Sequence, residues 1–254
     1  MLGLAAVAAA ALAYGWFEAG WLRTRVLELP VEGLPAALDG LRIAHLSDFH
    51  FGPVSRGTRA GQRGAAWVRS RRPDLVVVTG DLLSRPRGRA TLDEALAGLD
   101  AFVVLGNHDV AITRDPFSRA AALDGLPATL LVDDSRTVEL RGVPVQIAGT
   151  APRVAGPIPE ADDAAAFRIL LTHYPRLRAN GYGLVLAGHM HAGQIVLPYP
   201  GGKVRLAHIR ALMTEGVYRE VGVTLHVSPG LGTTFVPFRF FARPESTELV
   251  LRSW

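Results

Sequence analysis

Along the chain, short apolar runs alternate with polar, glycine-containing segments, the pattern of buried strands rather than of long amphipathic helices. The clearest runs are Leu41 to Leu46, Leu75 to Thr79, Ala101 to Leu105, Phe167 to Leu171 and Gly183 to Ala187. Stretches of helical length, Thr58 to Arg71 and Thr91 to Leu99, separate the first three and predict strand–helix–strand crossovers in a mostly parallel sheet. Later runs (Thr129 to Val132, Thr137 to Leu140, Val143 to Gly149, Gln194 to Leu197, Val223 to Val227, Glu248 to Leu251) are short and turn-separated, which predicts a second, more antiparallel sheet. The pattern predicts an α/β (α+β) fold of two packed sheets flanked by helices.

The first segment differs. Residues 1 to 17 carry no charged side chain, and apolar character resumes after Glu18 as far as Leu22. As one helix, Met1 to Leu22 would reach about 33 Å, just enough for a hydrocarbon core of about 30 Å. Residues 1–22 are therefore expected to be a membrane anchor with Trp16 and Trp21 at the interface. A buried helix and a cleaved signal peptide are the alternatives, the latter lacking its basic leader. Residues 23–40, with two prolines and two glycines after Arg25, are expected to be a tether into a main domain at 41–254. Arg23 and Arg25 place that domain on the cytoplasmic face of the cell membrane, with the extracytoplasmic face as the alternative.

Composition narrows the classes. An apolar content of 49% against 20% charged residues excludes a disordered chain. The absence of cysteine excludes disulfide scaffolds, thiolate metal sites and cysteine nucleophiles. The net charge of +4 comes from arginine, since Lys203 is the lone lysine among 27 basic residues. Arg56, Arg59 and Arg63 share one helical face and Arg85, Arg87 and Arg89 follow; they make either a solvated face or a surface for anionic headgroups. Without interleaved aromatic platforms, no nucleic-acid partner is expected. No Gly-x-Ser-x-Gly elbow, Walker loop, dinucleotide fingerprint or His-Glu-x-x-His occurs.

The candidate chemistry lies just beyond the five strand-like runs, where open α/β sheets build their sites. Those positions read Ser47-Asp48-Phe49-His50, Gly80-Asp81, Gly106-Asn107-His108-Asp109, Thr172-His173-Tyr174-Pro175 and Gly188-His189-Met190-His191. They offer seven oxygen or imidazole ligands, Asp48, His50, Asp81, Asn107, His173, His189 and His191, and no sulfur. Such a set suits borderline divalent ions, manganese foremost, with iron and zinc as alternatives. Seven donors exceed a mononuclear zinc site and fit two ions about 3.5 to 4 Å apart, with Asp81 as the bridge. Two dications, less two carboxylates and a bridging hydroxide, leave about one positive charge to meet a phosphate ester. His108 is the candidate general acid for the leaving oxygen, with Asp109 either orienting it or serving as a plain turn or cap residue.

In their order, the five motifs resemble the calcineurin-like metallophosphoesterases over about residues 41 to 252. The resemblance implies a four-layer sandwich of two mixed β-sheets flanked by helices. It also implies one metal held by Asp48, His50, Asp81 and His191, a second held by Asp81, Asn107, His173 and His189, and His108 beside the scissile group. The apolar leader, Ala192-Gly193-Gln194, Ser228 to Thr233 and Arg243-Pro244-Glu245 resemble a bacterial membrane-associated phosphodiesterase branch. That implies a phosphodiester or pyrophosphate substrate that is lipid-linked, such as a phospholipid or UDP-diacylglucosamine-type compound. Ala192 and Pro229 depart from the Gly and Arg of that pattern. A non-catalytic membrane adaptor on the same fold and a phosphatase of soluble phosphate esters are the alternatives. Phe235 to Phe241 is expected to be core or a covering loop, otherwise an apolar wall; His45, His208 and His226 are expected to be ordinary polar residues.

Overall fold

The computed structural model describes residues 2–114 and 123–254. Met1, the first residue of the expected anchor, lies outside them. Helix α1 (Leu2–Glu18) leads into strand β1 (Arg23–Val31), β2 (Arg42–Leu46), helix α2 (Gly57–Arg71), β3 (Leu75–Thr79), α3 (Arg89–Leu96), β4 (Phe102–Val104), α4 (Asn107–Arg114) and β5 (Thr129–Leu130). There follow β6 (Asp134–Leu140), β7 (Val143–Gly149), β8 (Phe167–Thr172), β9 (Leu184–Ala187), β10 (Val196–Tyr199), β11 (Gly202–Arg205), β12 (Gly216–Glu220), β13 (Val223–Val227) and β14 (Glu245–Ser253).

Two six-stranded mixed sheets result, ordered β1-β14-β2-β3-β4-β5 and β12-β13-β9-β8-β7-β6, with β10 and β11 as a separate hairpin. The second sheet has two antiparallel pairs against one in the first, the direction its turn-separated runs predict, but it too is mixed. Its centre, β13-β9-β8-β7, is parallel, and only the edge pairs β12–β13 and β6–β7 are antiparallel. Four-residue β9 is buried along its whole length, the composition of a strand covered on both faces. Leu29, Ile43, Val77, Ile147, Ile169, Leu186 and Leu249 interleave between the sheets as the main core. Leu46, Val68, Val78 and Leu96 pack α2 and α3 onto the first sheet's outer face. On the second sheet's outer face Ala179, Tyr182 and Met190 come from loops.

The stretch expected to be a tether at 23–40 belongs to the domain. Residues 23–31 pair in parallel with β14 over nine positions. Leu29 and Val31 are fully buried by alternation, and Pro30 is tolerated because β1 is an edge strand. Arg23 is committed to an ion pair with Glu245 rather than to flanking a membrane helix.

The expected 22-residue span is also corrected. The helix ends at Glu18 because that side chain, fully buried, accepts the Phe241 and Ala242 amide protons at 2.9 and 2.7 Å. Seventeen residues rise about 25 Å, and among the described residues no helix is long and apolar enough to cross a membrane. Residues 3–14 are nonetheless exposed, Leu4 at 78% and Val7 at 68%, so this is an uncovered apolar helix rather than a core helix. Its last turn is seated by Gly15 against the Phe240 ring, by Trp16 against Phe238, and by Arg243 over Trp21 at 4.0 Å.

Glu18→Ala leaves two buried amide donors without an acceptor and is expected to cost about 2 to 4 kcal/mol. Thermal unfolding followed by circular dichroism measures it, and an unchanged midpoint would mean that the α1 junction contributes nothing to folding.

Candidate metal centre

The strands β2, β3 and β4 of one sheet and β8 and β9 of the other end at the same edge of the sandwich, and the residues just beyond them converge. Asp48, His50, Asp81, His173 and His191 are buried, and Asn107, His108 and His189 are partly so. All seven predicted donors and His108 are brought together. Three groups have ligand atoms within 4.8 Å of one another: Asp48, His50 and His191; His50, Asp81 and His108; and Asp81, His173 and His189. The Asn107 Oδ1 lies 3.1 Å from His173 Nε2, which adds the amide to the last group.

Asp81 stands between the two halves. Its Oδ2 is 3.3 Å from His50 Nε2 and 3.4 Å from His173 Nε2, while Oδ1 accepts the His108 amide proton at 2.9 Å. The glycines before it and opposite it make this approach possible. A Cβ on Gly80, whose φ is +87°, would meet His173 Nδ1 at 2.7 Å, and one on Gly106 would overlap the Asp81 carboxylate. Five of the seven donors, Asp48, His50, Asp81, His189 and His191, have φ between 47° and 72°. Each non-glycine residue held there costs on the order of 1 kcal/mol or more, a concentration of strain found where a site demands it.

The donor set fits a pair of divalent cations. The ring nitrogens His50 Nε2 and His191 Nε2 face each other at 3.1 Å, and His189 Nδ1 and His173 Nε2 at 3.2 Å. In neutral imidazoles such pairs must either share one proton or aim both lone pairs at a cation. The outer nitrogens are already engaged: His50 Nδ1 lies 2.7 Å from Ser84 Oγ, and His173 Nδ1 donates to the Thr79 carbonyl at 2.8 Å.

Electrostatics agree with that division. Burial pushes His50 down to about 3 and His189 to about 4, keeping both neutral, although nearby carboxylates oppose it. Burial would also depress His173, but Asp81 and Asp48 outweigh it and raise the ring to about 9. Burial favours the protonated form of Asp48 and Asp81, yet the surrounding imidazoles hold Asp48 below the usual carboxylate range and Asp81 at about 2.

Several participants escaped the sequence reading. Asp109 does not orient His108. Its two oxygens accept the amide protons of Leu82, Leu83 and Gly106, so it clamps the Asp81 loop to the Asn107 loop; burial and the Asp81 charge push it up to about 7 against those donors. His108 instead lies with Nε2 3.2 Å from Thr234 Oγ1. His45 and His226 are not isolated core histidines. A directed chain runs from His226 Nδ1 to His45 Nδ1 (2.8 Å), from His45 Nε2 to Thr79 Oγ1 (2.9 Å), from Thr79 to Ser47 Oγ (2.8 Å) and from Ser47 to Asp48 Oδ2 (2.5 Å). It bonds the remaining face of a candidate ligand. His208 stacks edgewise on His189 at 5.1 Å and lines the site. Fully buried Arg239 donates to the carbonyls of Pro229, Gly232 and Ala242 and lies 3.1 Å from His191 Nδ1, so the loop lacking an arginine at position 229 receives a guanidinium from position 239. Only their participation in buried ring and backbone pairing distinguishes these residues, and no sequence spacing announces that.

With this geometry in view, comparison with known proteins gives the family. Residues 41–193 match the model of the calcineurin-like phosphoesterases. The chain belongs to that family. It is 32% identical to a transmembrane protein with metallophosphoesterase domain of Danio rerio over 89% of this chain, spanning 56% of that relative. It is 28% identical to the uncharacterized metallophosphoesterase YkuE of Bacillus subtilis, over 100% of this chain and 95% of that one. TT1561 of Thermus thermophilus superposes at a TM-score of 0.44 and 17% identity, covering 76% of this chain and 90% of that one. The calcineurin-like phosphoesterase described here is thus a metal-dependent phosphoester hydrolase of a family that uses a dinuclear divalent centre.

The buried neutral rings fix a pH dependence. His45, His50, His189 and His226 titrate below their unfolded value, His226 at about 3. The unfolded chain therefore binds more protons at these four rings below about pH 6.5, and their contribution to stability is lost as pH falls from there, while Asp109, raised to about 7, opposes them with a single group. His173 has the opposite sign, its contribution complete below about pH 6.5 and lost as pH rises through its folded value. The urea midpoint of metal-free protein is expected to drop steeply between pH 6.5 and 4.5; a flat profile would show the rings to be solvated.

Proposed function

We propose that this chain hydrolyses a phosphodiester or pyrophosphate bond, with one manganese ion held by Asp48, His50, Asp81 and His191 and a second by Asp81, Asn107, His173 and His189. The observation that carries the reading is the Asp81 Oδ2, 3.3 Å from one imidazole group and 3.4 Å from the other. A scaffold without chemistry has no need of a strained, desolvated constellation of this kind, which speaks against the adaptor alternative. When bound, the ion pair supplies a nucleophile near neutral pH and neutralises charge on the transferring phosphoryl group.

The protein's own groups do the rest. The Ser47–Thr79–His45–His226 chain and the Asp109 clamp hold the carboxylates in place. His108, outside both proposed ligand sets, faces the open side and delivers a proton to the leaving oxygen. Thr234 holds its Nε2 in the direction of that cleft.

The substrate class proposed is lipid-linked, and α1 is proposed to sit in the membrane with the catalytic domain on the cytoplasmic face. Support comes from the exposed apolar surface of residues 3–14 and from the Danio rerio and Bos taurus relatives, both named as transmembrane proteins. The full chain is expected to float with anionic lipid vesicles, and Leu4→Ser, Val7→Ser and Leu12→Ser together should release it. Flotation that survives the triple substitution would remove α1 from the reading.

The chemistry is tested on bis(para-nitrophenyl) phosphate with added manganese. His108→Ala should keep two ions per chain by elemental analysis while kcat falls about 10²- to 10⁴-fold. Asp81→Asn should lose metal and activity together. Loss of metal in His108→Ala would move that ring among the ligands, and activity indifferent to chelator would end the two-ion reading.

A further inference from the structure

A cleft of about 410 Å³ opens beside His108 and adjoins the metal centre through Ser84, whose hydroxyl lies 2.7 Å from His50 Nδ1. Its walls are Arg85, Arg87, His108, Thr234, Val54 and Phe235 among others, and none of its lining residues is acidic. Both arginines are exposed. Arg87 donates through Nε to the Gly52 carbonyl, and neither guanidinium has a carboxylate within ion-pair distance among the described residues. The neighbouring Arg89 is different, being paired with Asp93.

Another part of the lining is built against local preference. Phe235 is 95% exposed with φ at +58°, an uncommon conformation for a bulky residue. Gln194 enforces it: the buried side-chain amide donates to the carbonyls of Thr234 and Val236 at 2.8 and 3.1 Å, and its oxygen accepts the Thr234 amide proton at 3.0 Å. Pinned on both sides, Phe235 presents its ring to the cleft with its centroid 5.8 Å from that of His108. An apolar ring held out in water, lining the same cleft as two uncompensated cations, is a binding surface for a ligand that is flat or apolar at one end and anionic at the other.

We infer that this cleft is the leaving-group subsite, and that it selects a leaving group carrying its own phosphate, placed on Arg85 and Arg87, with an aromatic or apolar body against Phe235. The inference rests on the hydrolase reading above, with His108 at the departing oxygen. It narrows that reading to the pyrophosphate bond. One water is consumed: its oxygen bonds to the attacked phosphorus and the bridging phosphorus–oxygen bond breaks. The second phosphate then departs with the bonding electron pair and takes up a proton at the former bridging oxygen from His108. Protonated as the bond breaks, the phosphate monoester leaves as a monoanion, and two arginines stabilise the charge that builds on it.

The test compares two probes that share an aromatic leaving end: bis(para-nitrophenyl) phosphate, whose leaving group has no phosphate, and bis(para-nitrophenyl) diphosphate, whose leaving group is an aryl phosphate. In R85A/R87A the ratio of kcat/KM for the diphosphate to that for the diester is expected to fall at least tenfold, mostly through KM, and R85K/R87K should recover part of it. Direct titration of the purified full chain with phenyl phosphate, which needs no turnover, should show binding weakened at least tenfold in R85A/R87A. An unchanged ratio together with unchanged phenyl phosphate affinity overturns the subsite and leaves the hydrolase standing. A wild-type chain inert toward both probes, yet binding phenyl phosphate through these arginines, overturns the hydrolase reading instead and keeps the anion site.

Discussion

The Asp81 carboxylate is the point on which the structure closes. One of its oxygens faces imidazoles from both halves of the centre, the other takes the His108 amide, and it lies in a pocket from which water is nearly excluded. A buried carboxylate is costly unless cations or hydrogen-bond donors surround it. The fold answers with four imidazoles, one amide and two glycines small enough to let them approach. Everything else at this edge of the sandwich can be derived from that need: the parallel strand ends supply the positions, left-handed residues turn the chain inward, and Asp109 binds the two loops into one unit.

That constraint explains the extent to which function was legible in the residues. The five motifs keep their order because each follows a strand whose apolar run is itself recognisable, so the seven donors and His108 stand out without coordinates. The α/β class and two packed sheets follow from the same runs, while the mixed character of both sheets was implied only by the family resemblance. What stayed hidden was everything that acts by touching: the His226-to-Ser47 chain pairs residues up to 181 positions apart, and Arg239 reaches His191 across 48. A lone histidine or arginine in a strand or loop carries no periodic signal. The tether failed for a different reason, since proline and glycine mark edge strands as well as linkers, and nothing local separates the two.

The second sheet shows how connection length misleads. Short, turn-bounded runs predict hairpins, but β7 and β8 are parallel and joined by residues 150–166, which wrap the outside of the sheet without forming a helix. Ile158 from this segment packs against the cluster that contains Tyr182 and Leu170, while Gln146 bonds the Glu160 carbonyl and the Asp162 amide. The crossover is thus stitched by side-chain contacts instead of helical hydrogen bonds, and a coil crossover has no 3.6-residue period to announce it.

The helix at the start of the chain and the metal centre are one mechanical assembly. Gly15 carbonyl accepts the Arg239 amide proton, and Glu18 accepts those of Phe241 and Ala242. The Arg239 guanidinium in turn bonds the Ala242 carbonyl and His191. Five polar contacts therefore link an exposed apolar helix to a buried candidate ligand, all but the one to Phe241 buried and each sharing a partner with the next. The same segment carries Phe235 at its other end, fixed by Gln194 just beyond His191. A surface that leaves a helix uncovered while tying its last turn to the wall of a reaction cleft sets the direction in which that cleft opens relative to whatever covers the helix. The orientation is held by buried hydrogen bonds and not by a linker, and residues 23–31, directly after the helix, are a strand of the first sheet.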